Sequence, residues 1–475
     1  MLLDDVLLEI FDFYRMIHYT CPHWPSCLDP CHEWNWRVLV HVCRRWRQII
    51  FNSPRRLNLR IFCTYGTPVR KNLGIWPDFP IDLHLFSPRY IDLKDEDNAI
   101  AALEHRDRLF TVRLFGTGEQ LATIAEEVMQ EPFPVLTHLH MRSSDQDTPF
   151  FTAAFLGGFA PHLQAITLHR ILFPALPTLL LSTSDLVTLN LFEIPNPGYI
   201  SPERMVACLA ALPRLEVLAI TYQDAASRPD RIRPRPVTRP VLPALTSFTF
   251  RGAFEYLEDL VSHIDSPQLE RISIIYQDDS PDFQVTRLSE FIDRSIGPSR
   301  FAYVQFHILK VAFTLSREYA NSPGCDRRFI ATTLKHVSEM FNDWQLPDLV
   351  RVFSRFSAAI CTVVHLELET KFTEGDQPDD SYDVDWLHLM RQFPAMRTLY
   401  VSPTLAGAVF HSLEDSTAEM VAKVLPSLVL ICLEGIPALS FEKIEFRRSL
   451  LTGHPTTVVE TRDEFNERLE SYVSR

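Results

Sequence analysis

Six soft ligands crowd one short stretch of the chain: His18, Cys21, His23, Cys27, Cys31 and His32. Thiolates and imidazoles at that density are zinc donors, because zinc takes nitrogen and sulfur ligands tetrahedrally. The spacing lacks the paired Cys-x2-Cys knuckle that marks a structural zinc site. The other reading is an expanded loop between two helices, packed down by Trp24, Trp34 and Trp36. No metal and no cofactor is assigned, and zinc binding by residues 18–32 stays an open alternative. A metal-dependent enzyme built on this stretch is one rival reading. Other catalytic patterns are missing from the sequence: no Gly-x-Ser-x-Gly elbow, P-loop, His-Glu-x-x-His or dinucleotide glycine fingerprint. Gly157-Gly158 reads as a turn. The expectation is therefore a protein that is not an enzyme. His138, His140, His162 and His169 fall in strand-like stretches where alternate side chains face solvent. They read as surface or binding groups rather than general bases.

The elements around the Cys/His stretch are two amphipathic helix patterns. Leu3, Val6, Leu7, Ile10 and Phe11 make the first stripe, with Asp4 and Asp5 in its opening turn. Leu39, Val42, Cys43, Trp46 and Ile50 make the second, over Trp36 to Ile50, and Ser53-Pro54 stops it. So short a pair cannot bury both of its apolar sides within itself. One side is expected to meet another protein.

The run Leu3-Asp4-Asp5-Val6-Leu7-Leu8-Glu9-Ile10-Phe11, followed by Leu39-Val40-His41-Val42-Cys43-Arg44-Arg45-Trp46-Arg47-Gln48-Ile49-Ile50, resembles the F-box of fungal F-box proteins. The resemblance covers about a tenth of the chain. It implies a small helical hook docked on the Skp-type adaptor of a cullin-based SCF ubiquitin ligase. The adaptor-binding residues it implies are Leu3, Val6, Leu7, Ile10, Phe11, Leu39, Val42, Cys43, Trp46 and Ile50.

Beyond residue 56, Leu57, Leu59 and Ile61 alternate with Arg56, Asn58 and Arg60, which reads as a half-buried strand. One pattern then keeps returning, Pro-x-Leu-x-x-Leu-x-Leu with apolar swaps. Copies begin at Leu136, Leu163, Leu186, Leu215, Leu245 and Leu269, and later at Met396 and Leu428, with weaker ones at Leu109 and Val363. The first six are 23 to 30 residues apart, close to the leucine-rich-repeat range of roughly 20 to 29. Intervening segments such as Glu119–Met129, Pro202–Leu212, Tyr256–Ile264 and Pro347–Phe356 read as helices, and so does Phe329–Trp344. Phe301–Thr314 alternates like strand. Thr461 to Glu464 is a capping-box pattern opening a final helix with Phe465, Leu469 and Val473 on one face. Two loops interrupt the array: an arginine- and proline-rich one at 227–240 and an acidic one at 374–385. The expected fold is α/β of the repeat kind. It comprises a small helical F-box-like module, residues 1–56, and an irregular leucine-rich-repeat-like solenoid with a helical cap, residues 57–475. An all-α or an ordinary α/β fold is the alternative.

Alternation also picks the side chains of the inner, solvent-facing surface. The candidate substrate surface is His138, His140, Arg142, His169, Asn190, Phe192, Arg251, Glu367, Glu369 and Tyr400, basic early and acidic late. The formal net charge of −14 speaks against a nucleic-acid partner. No apolar run is long enough for a membrane span, and the opening residues lack the pattern of a secretory signal. Nine cysteines, an odd number mostly placed singly in apolar runs, suit a reducing compartment, cytoplasmic or nuclear. The expected function is an intracellular SCF substrate receptor, holding the adaptor through the F-box and an unidentified protein through the repeats. The alternative is an interaction scaffold outside the ligase, with the F-box-like segment as an N-terminal cap.

Overall fold

Parallel strands that pair in register stack like residues into rows, and the alternation of apolar and polar residues turns those rows into two unlike faces. A computed structural model shows this arrangement. It describes residues 3–19, 36–64, 68–85, 93–223, 239–276, 286–295, 299–307, 310–316, 331–337, 350, 353–354, 360–370, 386–436 and 456–473. The fold is α/β, in two compact units, Met1–Ile200 and Ser201–Arg475.

The first unit opens with α1 (Asp4–Tyr19), α2 (Trp36–Val40) and α3 (Arg44–Asn52). Then follow β1 (Ile61–Thr64), α4 (Val69–Ile75), β2 (Ile81–Leu85), α5 (Leu93–Leu103), β3 (Leu109–Gly116), α6 (Gly118–Val128), β4 (His138–Ser143), β5 (Ala165–His169), α7 (Leu176–Leu180) and β6 (Thr188–Ile194). The six strands pair in chain order and all are parallel. Val112, Leu139, Ile166 and Leu189 lie opposite one another across β3 to β6, and Leu114, Met141, Leu168 and Leu191 form the next row. Every one of them is buried. The residues before β1 form a turn, with Asn58 at φ 47°, and not the strand that their alternation suggests.

The second unit contains α8 (Pro202–Ala210), β7 (Val217–Tyr222), β8 (Ser247–Gly252), α9 (Phe254–Ser262), β9 (Arg271–Tyr276), α10 (Thr286–Ser295), β10 (Phe301–His307), β11 (Lys310–Ser316) and β12 (Ala331–Val337). It continues with β13 (His365–Thr370), α11 (Trp386–Met390), β14 (Thr398–Val401), α12 (Pro403–Glu414), α13 (Ala418–Val424), β15 (Leu430–Leu433), β16 (Thr457–Val459) and α14 (Arg462–Val473). Its strands run in the order β7-β8-β9-β12-β11-β10-β13-β14-β15-β16.

That order corrects the expected solenoid. In a solenoid each repeat stacks on its neighbours in the chain. Here β9 pairs with β12 and β10 with β13, while β11, between β10 and β12, is antiparallel to both. Antiparallel strands return directly, without a crossover element, so this block breaks the one-dimensional repeat and makes the sheet mixed. The expected helix over Phe329–Trp344 is corrected as well. Residues 331–337 are strand, paired on both sides, and the β-branched Thr332, Thr333 and Val337 suit that role. The segments 227–238, 374–385 and most of 347–356 lie outside the described residues.

The small N-terminal helical F-box-like module is corrected too. The single helix expected from Trp36 to Ile50 breaks at His41–Cys43 into α2 and α3, with the Cys43 thiol accepting from the Trp46 amide at the start of α3. The helices are also built into the first unit. Trp36 is buried, its Nε1 donates to the Arg60 carbonyl at 2.8 Å, and its ring stands edge-on to Trp76 at 5.0 Å and Phe79 at 5.4 Å.

In the second unit, α10 starts on a carboxylate from α9. Glu258 is buried and accepts the Arg287 amide at 2.9 Å and the Leu288 amide at 2.7 Å. Burial pushes its carboxyl up to about 7, against the partial compensation of those two amides.

Two measurements follow from this packing. Trp36→Ala removes a fully enclosed indole and its hydrogen bond, and is expected to cost the first unit about 3–5 kcal/mol in denaturant unfolding; a loss under ~1 kcal/mol would show that α2 is not part of that core. Glu258 binds its proton more tightly in the folded than in the unfolded state. Its contribution is therefore present at low pH and lost as pH rises through about 7. Glu258→Gln should flatten the second unit's melting profile between about pH 5 and about pH 8.

Candidate interaction surfaces

Two surfaces carry the residues that the sequence singles out: the outside of the N-terminal helices and the polar face of each unit's sheet. On α1 the inward stripe is Leu7, Leu8 and Phe11, all buried, with Phe11 edge-on to Trp46 at 4.9 Å. The outward stripe is Leu3, Val6, Ile10 and Phe13, exposed by 73, 40, 44 and 70%. Val38 and Val42 add exposed apolar surface where α2 turns into α3. Asp4 receives Arg45 at 2.6 Å and Glu9 pairs with Arg56, so α1 is held against the rest of the unit by charge as well as by Phe11. Of the ten adaptor-binding residues expected, Leu3, Val6, Ile10, Val42 and Cys43 are exposed and Trp46 is half-buried. Leu7, Phe11, Leu39 and Ile50 are buried and hold the helices in place. Phe13 and Val38 were missed, although Phe13 continues the 3, 6, 10 spacing. Residues 20–35, which include Cys21, His23, Cys27, Cys31 and His32, lie outside the described residues. Among the described residues no group of three or more His, Cys, Asp or Glu could hold a metal ion.

On the sheet of the first unit, register brings the polar side chains into rows. His84, Arg113, His140, Thr167 and Asn190 lie opposite one another across β2 to β6, and Phe115, Arg142, His169 and Phe192 form the row beside them. His138, one row earlier, lies opposite Thr111. Arg60 reaches both oxygens of the buried Asp82 at 3.1 Å and stacks over Phe110, its central carbon 3.8 Å from the ring. Arg142 lies over Phe115 at 5.1 Å. At the ends of β5 and β6, Arg170 and Glu193 both adopt positive φ, 56° and 50°, and their side chains meet at 2.5 Å. His138, His140, His169, Asn190 and Phe192 are half-buried and Arg142 is exposed, so the structure brings these six predicted residues onto one face. His162 is exposed in the turn before β5. Arg60, Asp82, His84 and Arg113 belong to the same face and were not picked from sequence. The alternating run Ile81-Asp82-Leu83-His84-Leu85 was the signal for two of them.

Electrostatics decide the state of this face. Burial, then Arg113 and Arg60, pushes His84 down to about 4; burial, then Arg113, Arg142 and His169, does the same to His140. His138 and His169 are lowered by burial first and by neighbouring arginines second. Near neutral pH these imidazoles are uncharged, and the cationic character comes from the guanidiniums.

The second unit treats the equivalent rows differently. Arg251 is half-buried on β8, but Glu367, Glu369 and Tyr400 are only 3, 7 and 2% exposed. The open acidic surface expected there is corrected: Arg462 of α14 pairs with Glu369 and, at 3.1 Å, with Glu367, while Phe465 packs against Tyr400. Thr461 caps that helix by accepting the Glu464 amide, and Phe465 and Leu469 are buried beneath it, as the sequence suggests.

No protein-family model matches the chain, and no curated protein matches it either. Among the described residues no helix is long and apolar enough to cross a membrane.

The histidine face predicts a pH dependence. The folded values lie below the unfolded histidine value, so the unfolded state binds more protons, and the stabilisation is present above about 6.5 and lost as pH falls toward about 4. His84→Asn and His140→Asn should each shallow the acid limb of the first unit's stability curve, read by chemical denaturation at about pH 7 and about pH 5. An acid limb unchanged in both variants would remove these imidazoles as its cause.

Proposed function

We propose that the chain is a non-enzymatic receptor subunit: the outward apolar stripe of α1, with Val38 and Val42, docks the Skp-type adaptor of a cullin ubiquitin ligase, and the histidine–arginine face takes the protein to be ubiquitinated. The observation that carries this reading is the double use of α1. Three of its exposed residues, Val6, Ile10 and Phe13, are large and apolar, as is Leu3 just before it, whereas a helix that serves only its own core presents one apolar side. Leu3, Val6 and Ile10 also belong to the run that resembles an F-box. Such a receptor does no covalent chemistry. It raises the effective concentration of a substrate beside the ubiquitin-carrying enzyme. Its place of work would be the cytoplasm, the nucleus or both.

One observation favours a second reading, a scaffold outside any ligase with the N-terminal helices as a cap: Trp36 is anchored among Trp76, Phe79 and Arg60. The two readings divide on the outward residues, which a cap leaves idle.

Ile10→Asp and Val42→Asp alter exposed positions and should leave the melting temperature unchanged, whereas Leu7→Asp would test folding instead. The expected result is that wild-type protein retains a purified Skp-type adaptor on an affinity column, and that each Asp variant weakens the complex roughly a hundredfold. Wild-type protein that retains no adaptor would sink the ligase reading. Wild-type binding that survives both substitutions would move the contact elsewhere.

A further inference from the structure

The cluster beneath α14 is organised around a guanidinium. Glu367 and Glu369 stand two residues apart on β13, so both project from one face. Each divides its two oxygens. Glu367 Oε1 lies 3.0 Å from His365 Nε2, and its Oε2 meets Arg462 at 3.1 Å. Glu369 Oε2 accepts from Gln305 of β10 at 3.1 Å, and its Oε1 receives the other terminal nitrogen of Arg462. His365 is itself fixed through Nδ1, 2.7 Å from the Thr398 hydroxyl. Tyr400, opposite Glu367 in register, lies beneath the guanidinium, 4.6 Å from ring centre to central carbon, and its hydroxyl donates to Glu434. Three strands, β10, β13 and β14, thus present a carboxylate fork and an aromatic floor. That fits a planar, two-pronged cation stacked on a ring, and fits an ammonium poorly.

Two carboxylates this deeply buried need a cation, because unpaired buried charge is strongly disfavoured. The cation that fills the seat comes from the last described helix of the chain. α14 buries Phe465 and Leu469 here, while Asp463, Glu467 and Arg468 face outward. Arg462 itself remains about a third exposed. A helix of this length is marginal by itself and leaves a sheet more readily than a paired strand does.

We propose that Arg462 is an intramolecular occupant of an arginine-accepting site on β13 and β14, and that an arginine-bearing helical segment of a partner protein exchanges with α14 there. The segment it takes presents Arg-x-x-Phe-x-x-x-Leu, the spacing of Arg462, Phe465 and Leu469. The site stands independently of the adaptor contact, because it lies in the second unit and uses none of the N-terminal residues.

The test uses the full-length chain carrying Phe465→Ser, which loosens α14 without touching the carboxylates. The probe is a fluorescent synthetic peptide with the sequence of residues 461–473, together with its Arg-to-Lys counterpart. The loosened chain is expected to bind the arginine probe roughly tenfold tighter than wild type does, and the lysine probe roughly tenfold more weakly than the arginine one. Adding Glu367→Gln and Glu369→Gln should abolish binding. Equal binding by wild type and Phe465→Ser, or equal binding of the two probes, would overturn the proposal and leave Arg462 a fixed structural ion pair. If Phe465→Ser does not fold, hydrogen exchange on wild-type protein decides. Amides of α14 should exchange roughly a hundredfold faster than those of β13 and β14, and matched rates would mean that α14 departs only on global unfolding.

Discussion

In-register parallel pairing is the constraint on which the rest of both units depends. With a side-chain period of two, a slip of one residue would exchange every core position for a polar one. Across β7 to β9 the aligned rows are Leu218, Phe248, Ile272 and Ile220, Phe250, Ile274; across β13 to β15 they are Leu366, Leu399, Ile431 and Leu368, Val401, Leu433. All are buried. The apolar rows hold the register by the burial they secure, and the polar rows are aligned as a consequence. His84, Arg113 and His140 therefore become neighbours although some thirty residues of chain separate each from the next. The polar face is a by-product of the core's own alignment.

Much of the strand content was legible for that reason. The Leu-x-x-Leu-x-Leu copies place their second and third apolar residues on β3 to β9 and on β13 to β15. Alternation states that a residue belongs to a strand; it does not state which strand lies beside it or in which direction that neighbour runs. The mixed block shows the difference. The described parts of 301–314 are strand, as alternation suggests, and β11 returns locally against β10, but the pairings of β12 with β9 and of β10 with β13 join segments about sixty residues apart. At 329–344 the spacing of Ile330, Leu334 and Val337 suits a helix, and tertiary pairing overrode it.

The sites were legible to a different degree. Exposure on α1 depends on which of two apolar stripes meets the rest of the unit. Both stripes are written in the sequence, so Leu7 and Phe11 could not be separated from Val6 and Ile10 without the position of α3. On the sheets, one rule of alternation selected His140 and Glu367 alike. The outcomes diverge because α14, almost a hundred residues beyond Glu367, covers one of them. Periodicity is local and coverage is not.

Charge separates the two polar faces further. On the first unit, burial first and then Arg60, Arg113 and Arg142 make protonation of the intervening imidazoles unfavourable, so the face keeps its cations as permanent guanidiniums and its histidines as neutral rings. On the second, Arg462 pairs with Glu367 and Glu369, and those carboxylates hold its guanidinium even more firmly protonated. The open face has its cations in place on its own strands. The covered face carries its counter-charge on a separate helix, and a partner that reaches it must replace that charge as well as that helix's apolar contacts. A neutral segment of equal size would deprive two buried carboxylates of the guanidinium they share, so the charge requirement, more than shape, sets what this face can accept.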